Sequence, residues 1–98
     1  MMATPYLEVA SRRDRAALGL ALLAVAYAQT GRVDDASRTA AAATAAGGDT
    51  ASVYALAGRA MVVAQRPEEA KQYLRRALML DPSLVRSREM LNALERKP

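Results

Sequence analysis

The sequence predicts an all-α fold built from two copies of one antiparallel helix hairpin and closed by an amphipathic helix. Three observations point to it. Of the 98 residues, 52% are hydrophobic, and the four aromatic residues are all tyrosines. The apolar mass is mostly alanine, leucine and valine, which favours closely packed helices over a sheet of large β-branched side chains. Apolar residues recur at helical spacing between glycine and proline breaks. Residues 17–48 also match residues 51–82 at a constant offset of 34 without a gap.

That offset pairs Ala21 with Ala55, Leu22 with Leu56, Ala26 with Ala60, Arg32 with Arg66, Ala36 with Ala70 and Ala43 with Ala77. Asp34-Asp35 pairs with Glu68-Glu69. In the first copy Leu20, Leu23, Ala24 and Tyr27 form a helical stripe that Thr30-Gly31-Arg32 interrupts, with Gly31 as the stop. A second helix spans 33–46, and its first-turn carboxylates Asp34 and Asp35 complement the positive end of the helix dipole. Gly47-Gly48 closes it, and Asp49 or Thr50 caps a third helix with Tyr54, Ala57, Gly58 and Met61 on its apolar face.

The fourth helix is expected from Pro67 to about Leu80, with Glu68 and Glu69 in its first turn. Asp81-Pro82 then supplies a cap and a first-turn proline for a fifth helix, whose apolar positions are Leu84, Met90, Leu91 and Leu94. Ahead of the repeats, Thr4-Pro5 is able to open a short helix through Tyr6, Leu7, Val9 and Ala10, although nothing between Ser11 and Arg15 forces a break. The expected organisation is one domain: an N-terminal segment 1–15, repeats over 16–48 and 49–82, and a closing helix over 83–98.

A 34-residue helix-turn-helix unit with small residues at its crossing points resembles the tetratricopeptide repeat. The second copy carries the resemblance best. Tyr54 stands in the place of the opening tryptophan, Gly58 at the small crossing residue, Ala70 and Ala77 at the alanines of the second helix, and Pro82 at the closing proline. In the first copy Leu20, Leu23, Ala24, Tyr27, Gly31, Ala36 and Ala43 fit, but Ala40 stands where a bulky residue is usual and Gly48 replaces the proline. The resemblance implies a right-handed superhelical stack of hairpins, with first helices lining a concave groove and the last helix solvating the end.

Composition narrows function. Without cysteine or histidine, thiol chemistry, imidazole catalysis and metal ligation by those residues are excluded. Scattered serines, threonines and helix-start carboxylates offer no nucleophile or acid–base pair, so no enzyme and no cofactor are expected. The longest apolar run, residues 16–28, is short of the roughly 18 residues a membrane-spanning helix needs. The first fifteen residues hold no apolar stretch long enough for a signal peptide, and a cytoplasmic location or an already processed chain is expected. The net charge of +4 is spread along the chain. A nucleic-acid surface would draw on Arg12, Arg13, Arg15, Arg75, Arg76, Arg86 and Arg88, but no aromatic stacking platform is interleaved with them.

The resemblance instead implies a groove for another polypeptide, formed by first-helix positions that point away from the hairpin interior. These are Leu18, Ala21, Leu22, Val25, Ala28 and Gln29 in the first copy, and Ser52, Ala55, Leu56, Arg59, Val62 and Val63 in the second. Arg59 is the one charged side chain among them, which suits an apolar or amphipathic segment better than a clamped terminal carboxylate. The alternative reading is that Leu18, Leu22, Val25 and Val62 pack against other parts of the chain or against a second copy of it. Two repeats are fewer than the roughly three that bury a continuous core, so the stack ends should be covered by a longer array or by a second copy of the chain.

Overall fold

The computed structural model describes residues 3–47 and 50–96, with side chains from Arg15 onward. Among the described residues there are five helices and no strand: α1 (Ala3–Gln29), α2 (Val33–Gly47), α3 (Ala51–Val63), α4 (Pro67–Leu80) and α5 (Val85–Arg96). The all-α class is as predicted. α1 and α2 pack as one hairpin and α3 and α4 as a second, while α1, α3 and α5 touch in chain order. From Val33 to Pro67 and from Ala51 to Val85 the helix starts step by the same 34 residues.

The separate N-terminal helix is corrected. Residues 3–16 continue directly into the first hairpin, giving a helix of 27 residues. Pro5 lies in its first turn, where a missing N–H costs no helical bond, and no proline or glycine follows before Gly19. At 1.5 Å per residue α1 runs about 40 Å, against about 22 Å for the 15 residues of α2. The front half of α1 therefore projects past the helix folded back along it.

Both hairpins turn in the same way. After α1 the Arg32 N–H donates to the Tyr27 carbonyl at 2.8 Å and the Gly31 N–H to that of Ala28 at 3.2 Å, a Schellman closure around a residue with φ of 82°. After α3 the Arg66 N–H donates to the Met61 carbonyl at 2.9 Å and the Gln65 N–H to that of Val62 at 3.1 Å, with Gln65 held at φ 60°. Gln65 thus occupies, with a side chain, a left-handed conformation that costs an L-residue about 1–2 kcal/mol. Gln65→Gly is expected to raise stability by about 1 kcal/mol, and Gly31→Ala to lower it by a similar amount. Equal urea midpoints for Gln65→Gly and the parent would refute this account of the turn.

The hairpin interiors differ. In the second, a Cβ on Gly58 would lie 2.7 Å from Leu74 Cδ2 and 2.8 Å from its Cγ, so the missing side chain is what admits Leu74 at the crossing. The corresponding pair in the first hairpin is Ala24 and Ala40, both fully buried. The main cluster runs from these alanines across Val25 and Ala28 to Ala57, Ala60 and Met61, and a smaller one joins Ala17, Ala21 and Ala43 to Val53. Tyr54 and Tyr73 meet with ring centroids 6.3 Å apart.

Asp34, Asp35, Glu68 and Glu69 fall in the first turns of α2 and α4, as predicted. Each also has a cation. Arg32 reaches Asp35 at 2.7 Å, and Arg38 also pairs with Asp35. Arg66 reaches across to Asp34 of the first hairpin at 2.8 Å, and Lys71 sits 3.6 Å from Glu68. Ser37 donates to Glu69 at 2.8 Å, so polar side chains bridge the starts of α2 and α4.

Two helix boundaries are corrected. Thr50 has the extended backbone of an N-cap before α3, but its hydroxyl makes no cap bond and is buried without a partner among the described residues. Asp49, the other expected cap, lies outside the described residues, as does Gly48; α2 itself runs through Gly47. Pro82 does not begin the fifth helix. The Asp81 carboxylate accepts from the Ser83 N–H at 3.0 Å and from the Ser83 hydroxyl at 2.6 Å, which holds Pro82 and Ser83 in a turn. α5 begins only at Val85, after Leu84, whose carbonyl accepts its first helical bond from Arg88 at 3.1 Å.

Candidate interaction groove

The Asp81 turn decides where the surface chemistry gathers, because it swings α5 back against both α4 and α3. Ser87 and Leu91, at 2% and 9% exposure, are the buried side of α5. They stand 34 residues after Val53 and Ala57, which are fully buried. α5 thus turns the same register positions toward the second hairpin as α3 turns toward the first, but it rests more on α4 than on α3.

Between α3 and α5 lies an open hollow of about 420 Å³ floored by Ala55, Leu56, Leu84, Val85 and Met90, with Arg59 and Arg86 at its side. A second hollow of similar size continues past the two arginines, bounded by Glu89, Met90 and Ala93. Val85 is 64% exposed at the mouth. A hydrophobic floor with few charged groups on its walls is the form of a peptide or small-ligand cleft.

The groove residues expected from sequence divide sharply. Ala55 and Arg59 line the hollow, with Leu56 beside them. Ser52 and Gln29 are exposed, Leu22 is 57% exposed and Val63 38%. Ala21, Val25 and Ala28 are corrected. They are buried where α1 meets α3, Ala21 against Val53 and the other two with Ala57, Ala60 and Met61, so no partner reaches them. Alanines let the two helices approach closely enough to seal that side of α1. Leu18 and Val62 are half-buried against the same two clusters.

Sequence reasoning missed the α5 half of the site. The signal was the third step of the repeat: Arg86, Glu89, Met90 and Ala93 stand 34 residues after Ser52, Ala55, Leu56 and Arg59. The same register explains an open face at the other end. Leu23 is 42% exposed, whereas Ala57 and Leu91, one and two steps later, are buried by the preceding helices.

Hydrogen bonds from the Ser83 hydroxyl and N–H hold the Asp81 carboxyl below its ordinary value, outweighing a small opposing effect of desolvation. At Asp35 desolvation pushes upward, but hydrogen bonds and charge from Arg32 and Arg38 outweigh it and the carboxyl is again lowered. A lowered folded-state value means that stability is present above the unfolded carboxylate range, about pH 4, and is lost as the pH falls through the folded value. Acid unfolding is therefore expected below about pH 4, with a shallower acid limb in Asp81→Asn. An unchanged limb in that variant would count against the turn as a source of acid sensitivity.

Comparison with protein-family models, curated proteins and solved structures finds no match for the chain. No described helix is long and apolar enough to cross a membrane, and no three acidic side chains gather as a metal site among the described residues.

Proposed function

We propose that this chain is a non-catalytic, tetratricopeptide-like interaction module, stacked with the right-handed superhelical sense of that family, which binds an apolar or amphipathic segment of another polypeptide between α3 and α5. The observation that carries the reading is the apolar trough lined by Ala55, Leu56, Leu84, Val85 and Met90. Ala55 and Leu56, and Met90 one repeat step after Leu56, stand at first-helix positions that the resemblance turns toward a groove. The α3 wall is held from α1, α2 and α4, which lowers the ordering cost on that side when a segment enters. The first-turn carboxylates serve this scaffold as dipole partners and ion pairs.

A nucleic-acid surface is the weaker reading. Arg75 is 2.7 Å from Glu95, and Arg88 donates to the Pro82 carbonyl at 2.8 Å, so two of the arginines it would need are engaged within the chain. The side chains of Arg12 and Arg13 lie outside the described residues.

Fluorescence anisotropy with a labelled leucine-bearing amphipathic peptide tests the proposal. Binding is expected to survive amidation of the peptide's C-terminus and to disappear when its leucines become glutamines, or when Met90→Glu places a charge on the floor. Binding indifferent to both changes would sink it. Light scattering of the free protein addresses the rival occupant, a second copy of the chain.

A further inference from the structure

Arg59 and Arg86 are exposed, and neither has a carboxylate, carbonyl or ring partner among the described residues. The surrounding arginines are engaged: Arg32 and Arg38 with Asp35, Arg66 with Asp34 and Glu69, Arg75 with Glu95, and Arg88 and Arg96 with backbone carbonyls. Two unmatched guanidinium groups from different helices therefore flank the same apolar floor. An isolated exposed arginine is ordinary. A pair on opposing walls of one hollow makes a local positive field over a low-dielectric surface, where a carboxylate gains a bidentate, charge-assisted partner.

We infer that the trough selects an acidic–apolar segment, one whose large apolar side chain enters the hollow while neighbouring aspartate or glutamate side chains meet Arg59 and Arg86. This rests on the groove reading above and adds the partner's charge pattern to it. The segment is internal to its own chain. The hollows on either side share Arg59, Arg86 and Met90, so the arginines stand between two adjoining hollows rather than beyond the end of one. A chain terminus held there would leave half the trough empty. Glu89 on the far side repels a second cluster of carboxylates. The favoured pattern thus runs from apolar through acidic to neutral or basic.

The test uses terminally acetylated and amidated helical peptides with one leucine stripe, flanked by glutamate, glutamine or lysine, titrated by anisotropy. The glutamate peptide is expected to bind about tenfold more tightly than the glutamine peptide, with the lysine peptide weakest, and salt should erode that preference. Arg59→Gln and Arg86→Gln should each remove most of the preference for glutamate over glutamine, whereas Met79→Ala, at an exposed position of α4 that lines neither hollow, should leave the preference intact. Leucine-dependent binding with no preference for glutamate would overturn this inference and leave the groove reading standing. Absence of leucine-dependent binding would overturn both. A preference that survives in both arginine variants, or appears only for a peptide with a free C-terminal carboxylate, would also overturn the inference.

Discussion

Gly58→Ala is expected to destabilise the protein by about 1–2 kcal/mol, although alanine is the better helix former by about 1 kcal/mol. The new Cβ would fall 2.8 Å from Leu74 Cγ and 3.3 Å from the Leu74 backbone nitrogen, and Leu74 is fully buried. Neither atom is the free end of a side chain, so the helices must part or Leu74 must leave its rotamer. Leu74→Ala alone should cost about 3 kcal/mol through the cavity it leaves. In that background Gly58→Ala should become neutral or stabilising, because the pair then copies Ala24 and Ala40 of the first hairpin. Urea unfolding of the four proteins gives the coupling directly, and additive effects would show that Leu74 is not what Gly58 accommodates.

Met61→Ala is expected to cost about 3 kcal/mol, whereas Met61→Leu should cost under about 1.5. Met61 is fully buried and belongs to the cluster that joins Val25 and Ala28 of α1 to Ala70 of α4. Most neighbours there are alanines, which are too small to collapse into the space it would vacate. Against a total stability of about 5–15 kcal/mol, the loss moves a domain of this size toward partial unfolding. Met79 provides the comparison. It is 73% exposed, so Met79→Ala should change the urea midpoint little. Equal losses at the two methionines would refute the packing described here.

The fold was readable from sequence because its punctuation is local. Gly31, Pro67 and the first-turn carboxylates act within a few residues of themselves, and the 34-residue step set the order of helices. The errors came where one local signal competed with another. Asp81-Pro82 looked like a cap followed by a first-turn proline, but two hydrogen bonds from Ser83 hold the carboxylate in a turn instead. At Gln65 the left-handed turn has no glycine to mark it, and the backbone bonds that impose it are not written in side-chain types.

The groove was half legible. Ala55 and Arg59 line the hollow, as helical position alone suggests, yet position does not say how closely two alanine-lined helices approach. That closeness buried Ala21, Val25 and Ala28. The α5 wall was overlooked because its agreement with the repeat is one of register rather than identity: Ser52, Ala55 and Leu56 become Arg86, Glu89 and Met90.

The order in which the helices touch has a further consequence. α1 contacts α2 and α3, while α5 contacts only α3 and α4. Cooperative unfolding in such a chain spreads from neighbour to neighbour, starting where the least large-side-chain surface is buried. That is the first hairpin, whose crossing holds Ala24 and Ala40. The hollow lies on the far side of α3 from α1, so loosening of α1 and α2 reaches it through Leu56, which packs against the clusters those helices build, rather than through Arg59, Arg86 or Met90. One side chain couples the alanine-lined joint to the hollow.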